Sequence, residues 1–400
     1  MSKDESQFVY MTCHAGAEGA VKKEVARLVP EWRLSFSRPG FLTFKHAGDH
    51  EIDDRQLAEL NWTFAHAHGI SLGRLTGEKL GELVQQVWNL EAVNKLAAKG
   101  KLAGIHVWQL ERPATDERDE APVATPLCVE IENALRATSP DSCPKLRRAD
   151  DERRRAAPRN ERVLDIIVLA PGEWWVGHHL AVRRHERWPG GQIPVLLPQH
   201  AVSRAYAKME EAIQWSGLPL APGDECVEIG CAPGGASQAL LERGLFVTGI
   251  DPADVDPAVL AHPRFRHLKK RGKDVRRKEF EGVRWLAADM NIAPESTLDE
   301  VETIVTHPGI SVRGLVLTLK LSDWSVAARL PDLAARVRGW GLKEVRMRQL
   351  VTGGQEVCLV ALKRKALRRI AGKPGRKRKP RISGETRTDA AHNTLPEPHF

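Results

Sequence analysis

Two lysines and two carboxylates, Lys208, Asp289, Lys320 and Glu356, stand in the second half of this 400-residue chain, Lys208 on a helix and the other three at strand ends. Between the first two lies Glu225-Cys226-Val227-Glu228-Ile229-Gly230-Cys231-Ala232-Pro233-Gly234-Gly235, and Asp251 follows at the end of Phe246-Val247-Thr248-Gly249-Ile250. This stretch reads as a strand, a Gly/Pro turn, a helix and a second strand ending in an acid. Such a unit is half of a doubly wound nucleotide-binding sheet, with turn and acid at the carboxyl edge where ligands sit. The glycines allow close approach of backbone to ligand, and the acid can accept hydrogen bonds from a ribose diol. A dinucleotide site wants G-x-G-x-x-G, with a helix N-terminus aimed at a pyrophosphate. Here Gly230 is followed by Cys231, Ala232 and Pro233 before Gly234 and Gly235. The bulkier turn suits a ligand without phosphate, so S-adenosylmethionine is expected, with NAD as the alternative.

The elements must carry all four polar residues to that edge. Lys208 lies on a helix predicted over 203–215, whose stripe of Ala205, Met209, Ala212 and Ile213 leaves Arg204 and Lys208 on another edge. Asp289 ends the strand 285–288, Lys320 ends the apolar run 315–319, and Glu356 opens the last strand, 356–362. Only Val351-Thr352-Gly353-Gly354-Gln355 separates that strand from the one at 345–350, too little for a parallel crossover, so the pair is an antiparallel hairpin. With a further strand expected at 303–305, the alternation from residue 203 onward predicts an α/β fold. It is a mostly parallel, Rossmann-like sheet with a terminal antiparallel strand, as in the class I methyltransferases.

Ahead of it, strands at 8–13 and 40–44 flank a helix at 18–28, an α+β module over residues 1–50. Residues 51–187 continue with a helix predicted over 81–99 (Leu83, Val84, Val87, Leu90, Val93 and Ala97 at helical spacing), a strand at 105–108, a helix at 127–137 and a strand pair at 163–170 and 174–177. A Pro/Gly-rich linker covers 188–202, and the nucleotide-type domain covers 203–362.

Net charge is +8, but residues 363–400 carry twelve Lys or Arg against three Asp or Glu, leaving residues 1–362 at −1. The tail has no apolar period, predicts disorder, and is suited to gripping RNA phosphates without sequence preference, or to solvation alone. No run of about eighteen apolar residues exists, and the N-terminus lacks a basic segment followed by an apolar one. The six cysteines show no C-x-x-C. A cytoplasmic protein with reduced thiols, monomeric and without a metal, is expected.

The pieces 203–212, Gly230 to Gly235, Ala288-Asp289-Met290, Leu319-Lys320-Leu321 and Gln355-Glu356-Val357 resemble the FtsJ-like ribose 2′-O-methyltransferases. Over its length, with Cys13-His14-Ala15-Gly16-Ala17-Glu18, Ala170-Pro171-Gly172 and Arg348-Gln349-Leu350, the chain is similar to the RlmM-type branch, which methylates a cytidine ribose of large-subunit rRNA. The resemblance implies an RNA-binding THUMP-like region before about residue 190 and a catalytic tetrad of Lys208, Asp289, Lys320 and Glu356. S-adenosylmethionine would lie on Gly230, Cys231, Ala232, Pro233, Gly234, Gly235, Asp251 and Asp289. Lys320 would be the base, with a pKa depressed toward about 7–8 by burial and by Lys208, while Asp289 and Glu356 orient the pair and the hydroxyl. Alternatives are an inactive RNA-binding assembly factor and a methyltransferase acting on tRNA.

The sequence departs from the branch at 268–272, where an acid near the adenine end is replaced by Leu268-Lys269-Lys270-Arg271-Gly272 or displaced to Asp274. Those basic residues read as a solvated loop or an RNA contact. His178, His179 and His185 read as surface or RNA-facing, and Trp174, Trp175 and Trp188 as base-stacking or packing residues.

Overall fold

The computed structural model describes residues 7–48, 52–110, 125–147 and 156–363. The readings of the charged stretches 111–124 and 148–155 and of the basic tail from 364 onward lie outside the described residues.

The first sheet has the order β2-β3-β1-β4-β7-β6-β5. Its strands are β1 (Phe8–Thr12), β2 (Trp32–Arg38), β3 (Phe41–His46), β4 (Ala67–Thr76), β5 (Leu102–Gln109), β6 (Arg162–Ala170) and β7 (Glu173–Leu180). Only β5 and β6 run parallel. The helices are α1 (Glu18–Leu28), α2 (Asp54–Glu59), α3 (Leu80–Asn89), α4 (Glu91–Ala98) and α5 (Pro126–Ala137). Because β4 pairs with both β1 and β7, residues 8–46 and 67–180 form one continuous sheet. The single helix expected over 81–99 is instead broken at Leu90, whose extended backbone (φ −60°, ψ 126°) ends α3 and begins α4. The break lets Leu83, Val84 and Val87 and then Val93 and Ala97 join the same core, which one straight stripe over nineteen residues would not.

The second sheet has the order β10-β9-β8-β11-β12-β14-β13. Its strands are β8 (Glu225–Ile229), β9 (Phe246–Ile250), β10 (Phe265–Leu268), β11 (Trp285–Asp289), β12 (Gly314–Lys320), β13 (Glu344–Arg348) and β14 (Glu356–Leu362). They alternate with α6 (Ala205–Ser216), α7 (Gly235–Glu242), α8 (Pro257–Leu260), α9 (Pro294–Val305) and α10 (Leu330–Gly339). The strands β10, β9, β8, β11 and β12 are mutually parallel, and β14 is antiparallel to β12 and β13. The reversed strand, last in sequence, therefore lies inside the sheet, and β13 forms its edge. This is the class I methyltransferase sheet expected from the sequence. Residues 303–305 are not a strand but the last turn of α9, because Thr297, Leu298, Val301, Ile304 and Val305 are buried at helical spacing and tertiary packing overrides the β-branched run.

The two sheets share a hydrophobic core in which Val9, Phe44 and Phe64 belong to the same cluster as Val227, Leu286 and Leu317. The rings of Phe64 and Trp324 meet edge-on at 6.1 Å. All six cysteines are buried and unpaired. No helix among the described residues is long and apolar enough to cross a membrane.

Candidate active site

Register explains why two residues thirty-six apart in sequence touch. Lys320 at the end of β12 stands directly opposite Glu356 at the start of β14, and Lys320 Nζ donates to Glu356 Oε2 at 2.5 Å. On the other side of β12, Asp289 closes β11, with Oδ1 3.1 Å from the same Nζ. Lys208 reaches down from α6 to the remaining oxygens, 3.3 Å from Asp289 Oδ2 and 3.0 Å from Glu356 Oε1. Each lysine thus bridges both carboxylates in a closed ring of alternating charge. The four side chains are only 10–25% exposed, so solvent screens the ring weakly. Lys208, Asp289 and Glu356 line a cleft of about 440 Å³, open mouth included, with Ala287 and Ala288 of β11 on its wall.

Burial alone would lower the pKa of Lys320, but its hydrogen bond to Glu356 and the field of Asp289 outweigh burial and hold it above the usual lysine value. The depression expected from the sequence is therefore not present in the free protein. A second cation helps lower a lysine only where carboxylates do not intervene, and here two of them do.

The glycine turn packs against this ring from below. Gly230 has φ +79°, and a Cβ there would fall 2.5 Å from the Asp289 carbonyl oxygen, so the turn and the end of β11 touch backbone to backbone. Gly235, the first residue of α7, is pressed just as closely to the segment leading into α6, where a Cβ would fall 2.2 Å from Ser203 Oγ. Asp251 at the end of β9 braces the same loop. Its Oδ2 accepts from the Ala232 N–H at 3.1 Å and its Oδ1 from the Ala253 N–H at 2.8 Å. Each oxygen keeps a second acceptor position. A cradle with no room for added side chains, with a carboxylate on its rim, fits an adenosyl group; Gly230, Gly234, Gly235 and Asp251 are the residues that would hold it.

Three contributors escaped the sequence reading. Glu228 on β8 is fully buried on the cleft floor and hydrogen-bonded by Ser237 Oγ. Burial, reinforced by Asp289 and Asp251, pushes its pKa up to about 8. Glu211, one turn beyond Lys208 on α6, accepts from the backbone N–H groups of Val351 and Thr352 at 2.9 Å each and from Thr352 Oγ1 at 2.8 Å. It clamps the turn that delivers Glu356. The third bears on the missing acid: Asp274 is exposed on a short 3₁₀ turn, whereas Glu300 of α9 places Oε1 against Gly272, where a Cβ would lie 1.6 Å away. A carboxylate therefore lies beside Gly272, but it comes from a helix beyond the reach of local sequence pattern. Lys269, expected in a solvated loop or on RNA, is exposed and forms a surface pair with Asp254 at 2.5 Å.

The histidine reading is corrected. His178, His179 and His185 are all buried, on β7 and the 3₁₀ turn at 185–187, because alternation along β7 turns both of its faces into packed layers. Trp174 is a core residue, Trp175 stacks on Phe36 with ring centroids 5.7 Å apart, and Trp188 packs against the second domain's core.

The family model described as FtsJ-like methyltransferase matches residues 201–365. A ribosomal RNA large subunit methyltransferase M from Alkalilimnicola ehrlichii is 37% identical over 126 residues, 30% of this chain and 33% of that protein. One of the same name from Tolumonas auensis is 26% identical over 296 residues, 70% of this chain and 74% of that protein. In the first of these alignments the chain spans about a third of its relative's length. TrmN from Thermus thermophilus aligns over 89% of this chain and 99% of its own at 15% identity, with a TM-score of 0.32, too low to bear on the assignment. Over residues 201–365 the chain is thus similar to the FtsJ-like methyltransferases, and over 70% of its length it is similar to a ribosomal RNA large subunit methyltransferase M.

Proposed function

We propose that this protein transfers a methyl group from S-adenosylmethionine to the 2′-hydroxyl of an RNA ribose, the substrate being a cytidine of large-subunit (23S) rRNA in the cytoplasm. The observation that carries the reading is the closed ring of Lys208, Asp289, Lys320 and Glu356 beside the glycine turn. When bound, S-adenosylmethionine supplies a methyl group on a positively charged sulfur.

The residues of the chain do the rest. A ribose hydroxyl is a poor nucleophile and needs a base to take its proton as the oxygen forms its new bond to carbon. Lys320 in its neutral form is that base, and it ends the step as an ammonium. Glu356 and Asp289 hold Nζ from two sides, fixing the direction in which its lone pair points. Lys208 neutralises the same two carboxylates from above, so Lys320 is not their only counter-ion. Positioning of this kind supplies much of the acceleration.

The test is transfer of labelled methyl groups to 23S rRNA transcripts. Lys320→Ala should lose about 10²–10⁴-fold in rate; equal incorporation by wild type and variant removes Lys320 as the base. Mapping ribose methylation in cells lacking the protein identifies the nucleotide, and loss at a tRNA position instead of 23S rRNA overturns the substrate.

A further inference from the structure

Outside the cleft, three adjacent strands of the first sheet bring polar side chains to one buried point. His106 on β5 stands in register with Asp165 on β6, and His179 on β7 lies diagonally beside them. The ligand-type atoms of the three residues lie within 4.8 Å of one another, a convergence with no second instance among the described residues. All three are at most 8% exposed.

The hydrogen bonds around the cluster fix its polarity. His179 Nε2 donates to the Glu186 carbonyl at 2.6 Å, which turns Nδ1 toward Asp165 Oδ2, also at 2.6 Å. Tyr10 Oη donates to that same Oδ2 at 2.7 Å. The other half of the cluster is left unsatisfied. Asp165 Oδ1 has no hydrogen-bond partner, and neither ring nitrogen of His106 has one in good geometry, although Nδ1 is only 3.8 Å from Oδ1. Leaving a buried polar atom unpaired is costly, so a carboxylate oxygen and an imidazole left facing each other are an anomaly unless something sits between them.

We propose that His106, Asp165 and His179 bind one divalent transition-metal ion of the zinc class, which joins β5, β6 and β7. Two imidazoles and a carboxylate are a borderline-soft donor set that favours zinc over magnesium or calcium. Metal–ligand distances of about 2.0–2.2 Å put tetrahedral ligand atoms roughly 3.3 Å apart. The ion therefore needs His179 and Asp165 to part by less than about 1 Å. The supporting contacts are already in place: a ligating histidine normally donates its other N–H to a carbonyl, and a ligating carboxylate is itself hydrogen-bonded. Glu186 and Tyr10 fill those two roles. A fourth position faces a void of about 10 Å³ lined by His68, Trp108, Glu186 and Gly190, about the room one water requires.

The competing arrangement is an ion pair. Burial lowers the pKa of His179, but Asp165 overcomes it and pushes the value up to about 9, so a protonated His179 satisfies Asp165 Oδ2 without metal. That arrangement leaves both ring nitrogens of His106 without a well-formed hydrogen bond, the Arg187 backbone being the nearest partner, and burial holds the pKa of His106 well below its usual value.

The full chain, prepared without chelator and with any polyhistidine tag removed, should contain about one zinc per chain by elemental analysis. Zn²⁺ added to chelator-stripped protein should raise Tm where Mg²⁺ does not. His106→Gln and Asp165→Asn should each reduce bound zinc at least about tenfold, with folding checked by circular dichroism. If these variants fail to fold, the Zn²⁺ titration of the stripped wild-type protein decides the matter. A Tm indifferent to Zn²⁺, or zinc retained at wild-type stoichiometry in folded variants, overturns the proposal and leaves the ion pair.

Discussion

The charge on Lys320 decides when the proposed site can work. With its pKa held above the usual lysine value by Glu356 and Asp289, the neutral amine is a small fraction near neutral pH. The rate should then climb with pH across the whole neutral range. Glu356→Gln removes one of the two raising charges while keeping the side chain's shape. The rising limb of kcat/KM should move to lower pH in that variant, even as its ceiling falls with the loss of orientation; a limb that stays put would mean that Lys320 is not the titrating base. Glu228 gives a separate signature in stability. Its folded pKa of about 8 exceeds the ordinary 4.5, so the folded state holds a proton that the unfolded state has released between those values. Stability therefore falls by about 1.4 kcal/mol per pH unit over that window and levels off above it. Glu228→Gln should raise Tm above pH 8 relative to wild type and leave it nearly unchanged below about pH 5, as thermal melts across pH would show.

At the scale of elements, α6 does two jobs from one face: it presents Lys208 to the ring and, a turn later, Glu211 to the backbone between β13 and β14. Glu211→Ala leaves two partly buried N–H groups unpaired, at about 1–3 kcal/mol each. Freed from its clamp, the turn should let Glu356 wander, and a misplacement of about 1 Å costs on the order of 100-fold in rate. We expect a lower Tm and a kcat reduced by about 10–100-fold with cofactor affinity nearly unchanged; calorimetry beside single-turnover kinetics would separate the two. Much of this site was legible in the sequence because Asp289, Lys320 and Glu356 stand at strand ends and Lys208 on an amphipathic helix, each element having its own strong pattern. Lys320 closes a run of apolar residues and Asp289 the apolar strand Trp285-Leu286-Ala287-Ala288, and an α/β sheet gathers such ends at one edge. The illegible parts have physical reasons. Glu211 and Glu228 read locally as an ordinary helix residue and an ordinary strand residue, and become special only through backbone and burial contributed from elsewhere. β10 (Phe-Arg-His-Leu) is too short for a period, and the 303–305 error arose where helix packing outweighed strand propensity. The cluster of His106, Asp165 and His179 draws on three strands, so no spacing rule could reveal it.

Across the whole molecule, one buried cation ties the first sheet to the sheet edge that carries the ring. Arg348, the last residue of β13, is 2% exposed and donates to the carbonyls of Ala65 at 3.3 Å, His66 at 3.1 Å and Gly191 at 3.0 Å. Burial lowers its pKa to about 10, which still leaves it charged at every physiological pH. Its neighbours extend the seam: the Gln349 N–H donates to the Thr63 carbonyl at 2.7 Å, and His14 Nε2 lies 2.9 Å from the Leu350 carbonyl oxygen. Leu350 in turn lines the cleft beside Glu356. The first sheet is thus fastened to the strand end from which the β13–β14 turn springs, three residues before the segment that Glu211 clamps. Arg348→Met keeps the length and packing of the side chain but leaves three carbonyls without a donor. If the seam aligns an RNA held by the first half with the ring, this variant should bind S-adenosylmethionine within about threefold of wild type yet methylate 23S rRNA at least about tenfold more slowly. Methylation of a minimal oligonucleotide should suffer less than that of the long transcript, because a short RNA does not need the first sheet. Equal losses on both RNAs, or a parallel loss of cofactor binding, would show that Arg348 supports only the folding of the second domain.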